Sequence, residues 1–122
     1  MLKRKAKMKA LIKDLLPSVD ELVALLEYYD NATYRAAVIN LVETLQANGL
    51  RGFEDQKEIF DPERHELFES HYSSSYDMPT VTHCHLRGYE IDGETIRKAI
   101  VDVHFPEEAR DAIVDMVIEH ED

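Results

Sequence analysis

From Met8 to Tyr29 apolar side chains recur alternately four and three positions apart, at Met8, Ile12, Leu15, Val19, Leu22, Leu26 and Tyr29. That spacing places them on one stripe of an α-helix, widened by Leu11, Leu16, Val23 and Leu25. So wide a stripe suits a helix bundle better than a bare two-stranded coil. Pro17 lies inside it, and its missing N–H predicts a kink or a restart, for which Ser18 and Glu21 offer a capping box. Asp30-Asn31-Ala32-Thr33 breaks the pattern, with Asn31 or Thr33 as the next N-cap. Tyr34, Val38, Leu41 and Leu45 then resume helical spacing beside Ala37 and Val42, until Asn48-Gly49 supplies a left-handed C-cap. A connection this short implies an antiparallel pair. One helical hairpin cannot cover its own stripe, which predicts a homodimer closing a four-helix bundle. Its expected dimerisation residues are Ile12, Leu15, Val19, Leu22, Leu26, Val38, Leu41 and Leu45.

The period changes after Leu50. Val81 to Leu86 and Thr95 to Phe105 are rich in β-branched residues, and Ala99, Val101, Val103 and Phe105 line one face of the second run. Ile91-Asp92-Gly93-Glu94 carries a tight-turn signal between them, while His71 to Pro79 reads as a loop. Asp61 and Pro62 suit the cap and first position of a short helix. Pro106-Glu107-Glu108 opens a terminal helix whose stripe is Ala109, Ala112, Ile113, Met116 and Val117. The expected fold is therefore α+β: a helical dimerisation region over 1–58, a small all-β domain over 59–105 and a C-terminal helix over 106–122.

Charge then limits the partners. The net charge is -11, yet six of the 14 basic residues precede the first acid, Asp14, leaving 8 basic against 25 acidic residues beyond. That acidic remainder repels nucleic acid and anionic lipid, so neither is an expected partner. The basic start resembles a signal n-region, but Lys9, Lys13 and Asp14 interrupt what would be its apolar core. No stretch reaches the ~20 apolar residues of a membrane helix. With one cysteine, Cys84, no internal disulfide forms. These features lead to an expected cytoplasmic location.

Catalytic chemistry is not legible. There is no nucleophile elbow and no phosphate-cradling glycine loop among only four glycines. Asp61, Glu63, His65 and Glu66 lie close in sequence, but a structural role at a helix start accounts for them better than acid–base work. His83-Cys84-His85 invites a metal, either alone or with His65 in an enzyme. On a strand, however, Cys84 faces away from both histidines, so the triplet cannot close on one ion. The reading is a binding protein with no catalytic residue, no metal and no cofactor.

Several short motifs occur in a telling order. Asp14-Leu15-Leu16-Pro17 leads the first helix and Asn48-Gly49-Leu50 closes the second. Phe60-Asp61-Pro62 with His65 follows, then Arg87-Gly88-Tyr89, Asp92-Gly93 and Thr95-Ile96-Arg97. In order and spacing they resemble the C-terminal part of GrpE, the nucleotide exchange factor of DnaK-type chaperones, over about Lys13 to His104. The resemblance implies a cytoplasmic, homodimeric co-chaperone of protein folding and the stress response. In that family a helical stem and four-helix bundle carry a β domain, the wing. The wing enters the cleft of the DnaK ATPase domain and releases ADP. It also implies contacts to that ATPase domain from His85, Arg87, Glu94, Arg97 and Val103. Where the family's wing turn typically reads Asn-Gly-Arg, this chain has Asp92-Gly93-Glu94, a reversal of charge. The helix connection is also shorter, the long stem is almost wholly absent, and the stretch from Pro106 is additional. An alternative implication is an interaction scaffold of the same fold that has lost exchange activity.

Overall fold

The computed structural model describes residues 2–29 and 31–109. Helix α1 (Leu2–Leu25) continues through Pro17, so no restart with a new cap at Ser18 occurs. Ile12, Leu16 and Val19 are buried in phase on either side of the proline, and keeping that row together outweighs one missing backbone bond. Helix α2 (Ala32–Ala47) begins at Asn31, whose Oδ1 accepts the Tyr34 N–H at 3.0 Å. The Tyr34 hydroxyl donates to the Leu22 carbonyl at 2.8 Å and its ring meets Tyr29 edge-on, which ties the start of α2 to the end of α1. Gly49 closes α2 with a φ of 96°.

Among the described residues six strands follow: β1 (Leu50–Phe53), β2 (His65–Ser73), β3 (Thr80–Leu86), β4 (Gly88–Ile91), β5 (Glu94–Arg97) and β6 (Ala99–Pro106). They form two three-stranded sheets, ordered β1-β4-β5 and β2-β6-β3. In the second, β6 is central, parallel to β2 and antiparallel to β3. Two stretches depart from expectation. The loop read from His71 begins only after Ser73, because β2 pairs with β6 as far as Ser73 and Pro106. The short helix expected after Asp61 is a turn at 62–64. There the Asp61 carboxylate accepts the Glu63 N–H at 3.0 Å, but β2 claims the chain from His65 on. Of the terminal helix, residues 107–109 are helical, and the positions from Ala112 onward lie outside the described residues.

The chain divides into two compact units: one runs up to Arg51 and includes Glu90–Ile96, the other comprises Gly52–Tyr89 and the chain from Arg97 on. This differs from the three consecutive regions read from the sequence, because the β4–β5 turn groups with the helices. The first unit buries Ile12, Leu16, Val19, Val38, Leu45, Leu50 and Ile91. The core of the second is Val81, Ala99, Val101 and Val103, with Phe53, Phe60, Cys84 and Phe105 packed against it. No helix among the described residues is long and apolar enough to cross a membrane.

Gly88 allows the closest backbone approach in this core. A Cβ there would enter the Phe53 ring and lie 2.7 Å from the Ala99 nitrogen, which is backbone and cannot yield. At Gly52 the nearest obstacle, at 2.6 Å, is the flexible Arg87 side chain. Gly88→Ala is therefore expected to cost about 1–3 kcal/mol in urea denaturation, and Gly52→Ala clearly less. Equal losses from the two would show that the Phe53–Ala99 contact is not the constraint.

Candidate functional site

The β4–β5 hairpin turns at Asp92 and Gly93, with φ of 51° and 81°. Two consecutive positive φ values match the twist of the flanking strands, and Asp-Gly is the pair that reaches them most cheaply. Glu94, the first residue after the turn, is tied down: its Oε2 accepts from Lys9 Nζ at 2.6 Å. Glu94 is largely exposed, so the pair contributes about 0–1 kcal/mol. Its effect is to hold the acid against α1.

Arg87 and Arg97 come together. Arg97 donates from Nε and Nη2 to the Arg87 carbonyl, at 3.2 and 2.7 Å, and its guanidinium lies 5.0 Å from the Tyr89 ring centroid. Arg87 extends outward, with Glu54 3.5 Å from Nη2. His85 stands on β3 with Nε2 2.8 Å from Asp102 Oδ1. Val103 requires correction as a contact residue. It is fully buried, since alternation on the central strand points it into the core with Val101. Lys9 had no signal in the sequence, because a pairing 85 positions apart leaves no local pattern.

The helices also divide differently from the expected dimerisation set. Ile12, Val19, Val38 and Leu45 are buried within a single chain, as is Leu16, so they are not available to a second copy. Leu22, Leu26 and Leu41 are half-buried. Of the expected set Leu15 is exposed, joined by Leu11, Val23, Leu25, Tyr28, Tyr29 and Ile39. Leu25, Tyr29, Asn31, Thr33, Tyr34 and Ala37 line a concavity of about 510 Å³ where the two helices meet.

A family model described as GrpE matches residues 2–104. The chain belongs to the GrpE family. Relatives include a protein named "Protein GrpE" from Vibrio proteolyticus, 27% identical over 107 residues covering 80% of this chain and 52% of that one. Another of that name, from Francisella philomiragia, is 28% identical over 106 residues, 80% of this chain and 56% of the relative. A third, from Gloeothece citriformis, is 32% identical over 76 residues, 62% of this chain and 27% of the relative. The chain spans about half the length of the first two relatives it matches.

One stretch that carried the GrpE resemblance, Phe60-Asp61-Pro62 with His65, proves to be a structural lock. His65 is buried between Phe53 and Phe60. Its Nδ1 accepts the Asp61 N–H at 2.9 Å, which leaves the proton on Nε2 to be donated to Asp55 Oδ2 at 2.8 Å. Arg64 donates to the same carboxylate from Nε at 3.0 Å and lies 4.0 Å from the Phe53 ring centroid. With both imidazole nitrogens engaged, the group holds a turn and offers no free base. Burial of Asp55 opposes ionisation, but hydrogen bonds from Arg64 and His65, with the charge of Arg64, outweigh it and hold the carboxyl below its ordinary range. A depressed folded-state pKa stabilises the fold above the unfolded value near 3.8, and that stabilisation fades as pH falls through the folded value. Asp55→Asn is expected to cost about 1.5–3 kcal/mol at pH 7. The gap to wild type, followed by urea denaturation, should close as pH drops below about 4. A gap independent of pH would remove the ionic account.

Proposed function

We propose that this GrpE-family chain is a co-chaperone and adenine-nucleotide exchange factor, which binds the ATPase domain of a DnaK-type chaperone and promotes ADP release. The carrying observation is the family match over residues 2–104, which takes in both helices and all but the end of the last strand. The presented surface suits the role. Outward-reaching Arg87, and Arg97 with its guanidinium over the Tyr89 ring, offer donors to an acidic partner. The physical basis is linkage. A protein that binds the open, empty cleft more tightly than the closed one weakens nucleotide binding by the factor by which nucleotide weakens its own.

The working unit in this proposal is a homodimer joined through the helices. Support comes from exposed apolar side chains on α1 and just after it, among which Leu11 keeps 60% and Tyr28 79% of its surface open to water in the single chain. A second reading, an interaction scaffold without exchange activity, is favoured by Glu94. An acid already paired with Lys9 is a poor substitute for a free arginine in reaching an acidic partner.

Two measurements separate these readings. Catalytic amounts of the chain should accelerate release of labelled ADP from a DnaK-type chaperone of the same cell; absence of acceleration with every such chaperone would defeat the exchange reading. If the scaffold reading holds, Glu94→Arg should restore binding to a standard chaperone, and unchanged binding would count against that explanation. For the dimer, Leu15→Glu alters an exposed position, so the fold should survive while analytical ultracentrifugation reports monomers. A variant that sediments like wild type would remove Leu15 from the interface.

A further inference from the structure

The outer face of the β2-β6-β3 sheet gathers more titratable side chains than strict alternation allows. Leu67 pairs with Val101 but Glu69 pairs with Asp102, so Phe68 is an extra residue in β2. On β3, Thr82 is extra between Val81 and His83, and His85 is extra between Cys84 and Leu86. Each bulge transfers the residues after it to the opposite face. Without the first, Glu69 and His71 would share the core side with Val101 and Val103. With it, they join Asp102 and His104. Four of the chain's six histidines meet there: His71 stacks on His104 with ring centroids 4.8 Å apart, and His83 meets His85 at 4.6 Å.

The geometry points to a transition-metal site on this face, with Glu69, His71 and Asp102 as ligands and zinc as the ion. One potential ligand atom from each of the three lies within 4.8 Å of the others, with Glu69 Oε2 and His71 Nε2 3.9 Å apart. Zinc donors stand about 2.0–2.2 Å from the ion, so small rotamer changes of the exposed Glu69 and half-buried His71 close the set. A mixed imidazole and carboxylate set suits zinc and its first-row neighbours rather than calcium or magnesium. Three protein ligands leave a position for water.

The surroundings resemble an outer shell. His85 Nε2 donates to Asp102 Oδ1 at 2.8 Å, while the His85 ring rests 4.4 Å from Phe68, the bulged residue. That bond fixes the carboxylate's orientation, making His85 a positioning residue. The ring of His104, stacked on His71, is itself fixed by Tyr76 at 5.0 Å and by Thr82 Oγ1, 2.9 Å from its Nδ1. Cys84 takes no part: its thiol donates to the Leu86 carbonyl at 3.3 Å and packs on the core side, where burial raises its pKa. The site is independent of the exchange reading.

The test is zinc titration of the tag-free full chain by calorimetry, with melting curves in chelator and in zinc. One ion per chain is expected, together with a higher melting temperature in zinc. His71→Ala and Asp102→Asn should each weaken zinc binding at least about tenfold, and His85→Ala about 10–100-fold, while Glu63→Gln, on the 62–64 turn, should leave it unchanged. Glu69→Gln at an exposed position guards against misfolding: it should lose affinity while melting like wild type in chelator. No binding, or an adventitious ion indifferent to His71→Ala, Asp102→Asn and Glu69→Gln, would overturn the proposal.

Discussion

Strand β6 must satisfy three demands at once, and the β2-β6-β3 module depends on its meeting them. Both its edges are hydrogen-bonded, its inward row of Ala99, Val101 and Val103 is wholly buried, and its outward row of Ile100, Asp102 and His104 is half-buried. Small and β-branched residues fill the inward positions, and Phe53, Phe60 and Phe105 pack against them. The Ala99 amide shows how tight this is, since its N–H reaches the Arg64 carbonyl at 3.0 Å and its nitrogen crowds Gly88. The same strand thereby anchors the Asp55–Arg64–His65 lock to the core. The buried side-chain polar atoms among the described residues all find partners, as a module this small requires.

Where sequence periodicity reported the fold, it did so through side chains that face one solvent and one core. The α1 and α2 stripes belong to that class, and so does the alternation of Ala99, Val101 and Val103. Strand β2 does not. Its sequence, HELFESHYS, is exposed over most of its length, so neither face leaves an apolar rhythm. The bulges were equally silent, because an extra residue is defined by its partner strand and not by its own type. That is why the grouping of Glu69, His71 and Asp102 could not be foreseen, whereas the opposed directions of His83 and Cys84 could.

The candidate partner surface is proposed from family motifs rather than from physics. Arg97 ends the short strand β5 and Arg87 joins β3 to β4, and the contact role of both rests on the GrpE likeness alone. Val103 was misassigned because strand parity sends it inward, and half of the expected helix contacts are consumed within the chain itself. Leu11, Leu15, Val23 and Leu25 are the part of the α1 stripe that a lone hairpin leaves exposed.

The parallel pairing of β2 with β6 has a temporal meaning. His65 finds Ala99 and Ser73 finds Pro106, so the central strand is the last of the six to be synthesised. On the ribosome the two helices emerge first and can organise through local contacts, whereas the β2-β6-β3 module waits until its middle strand arrives. Until then the outer strands β2 and β3 lack the neighbour that joins them, and their unpaired edges are the most aggregation-prone surface the nascent chain presents.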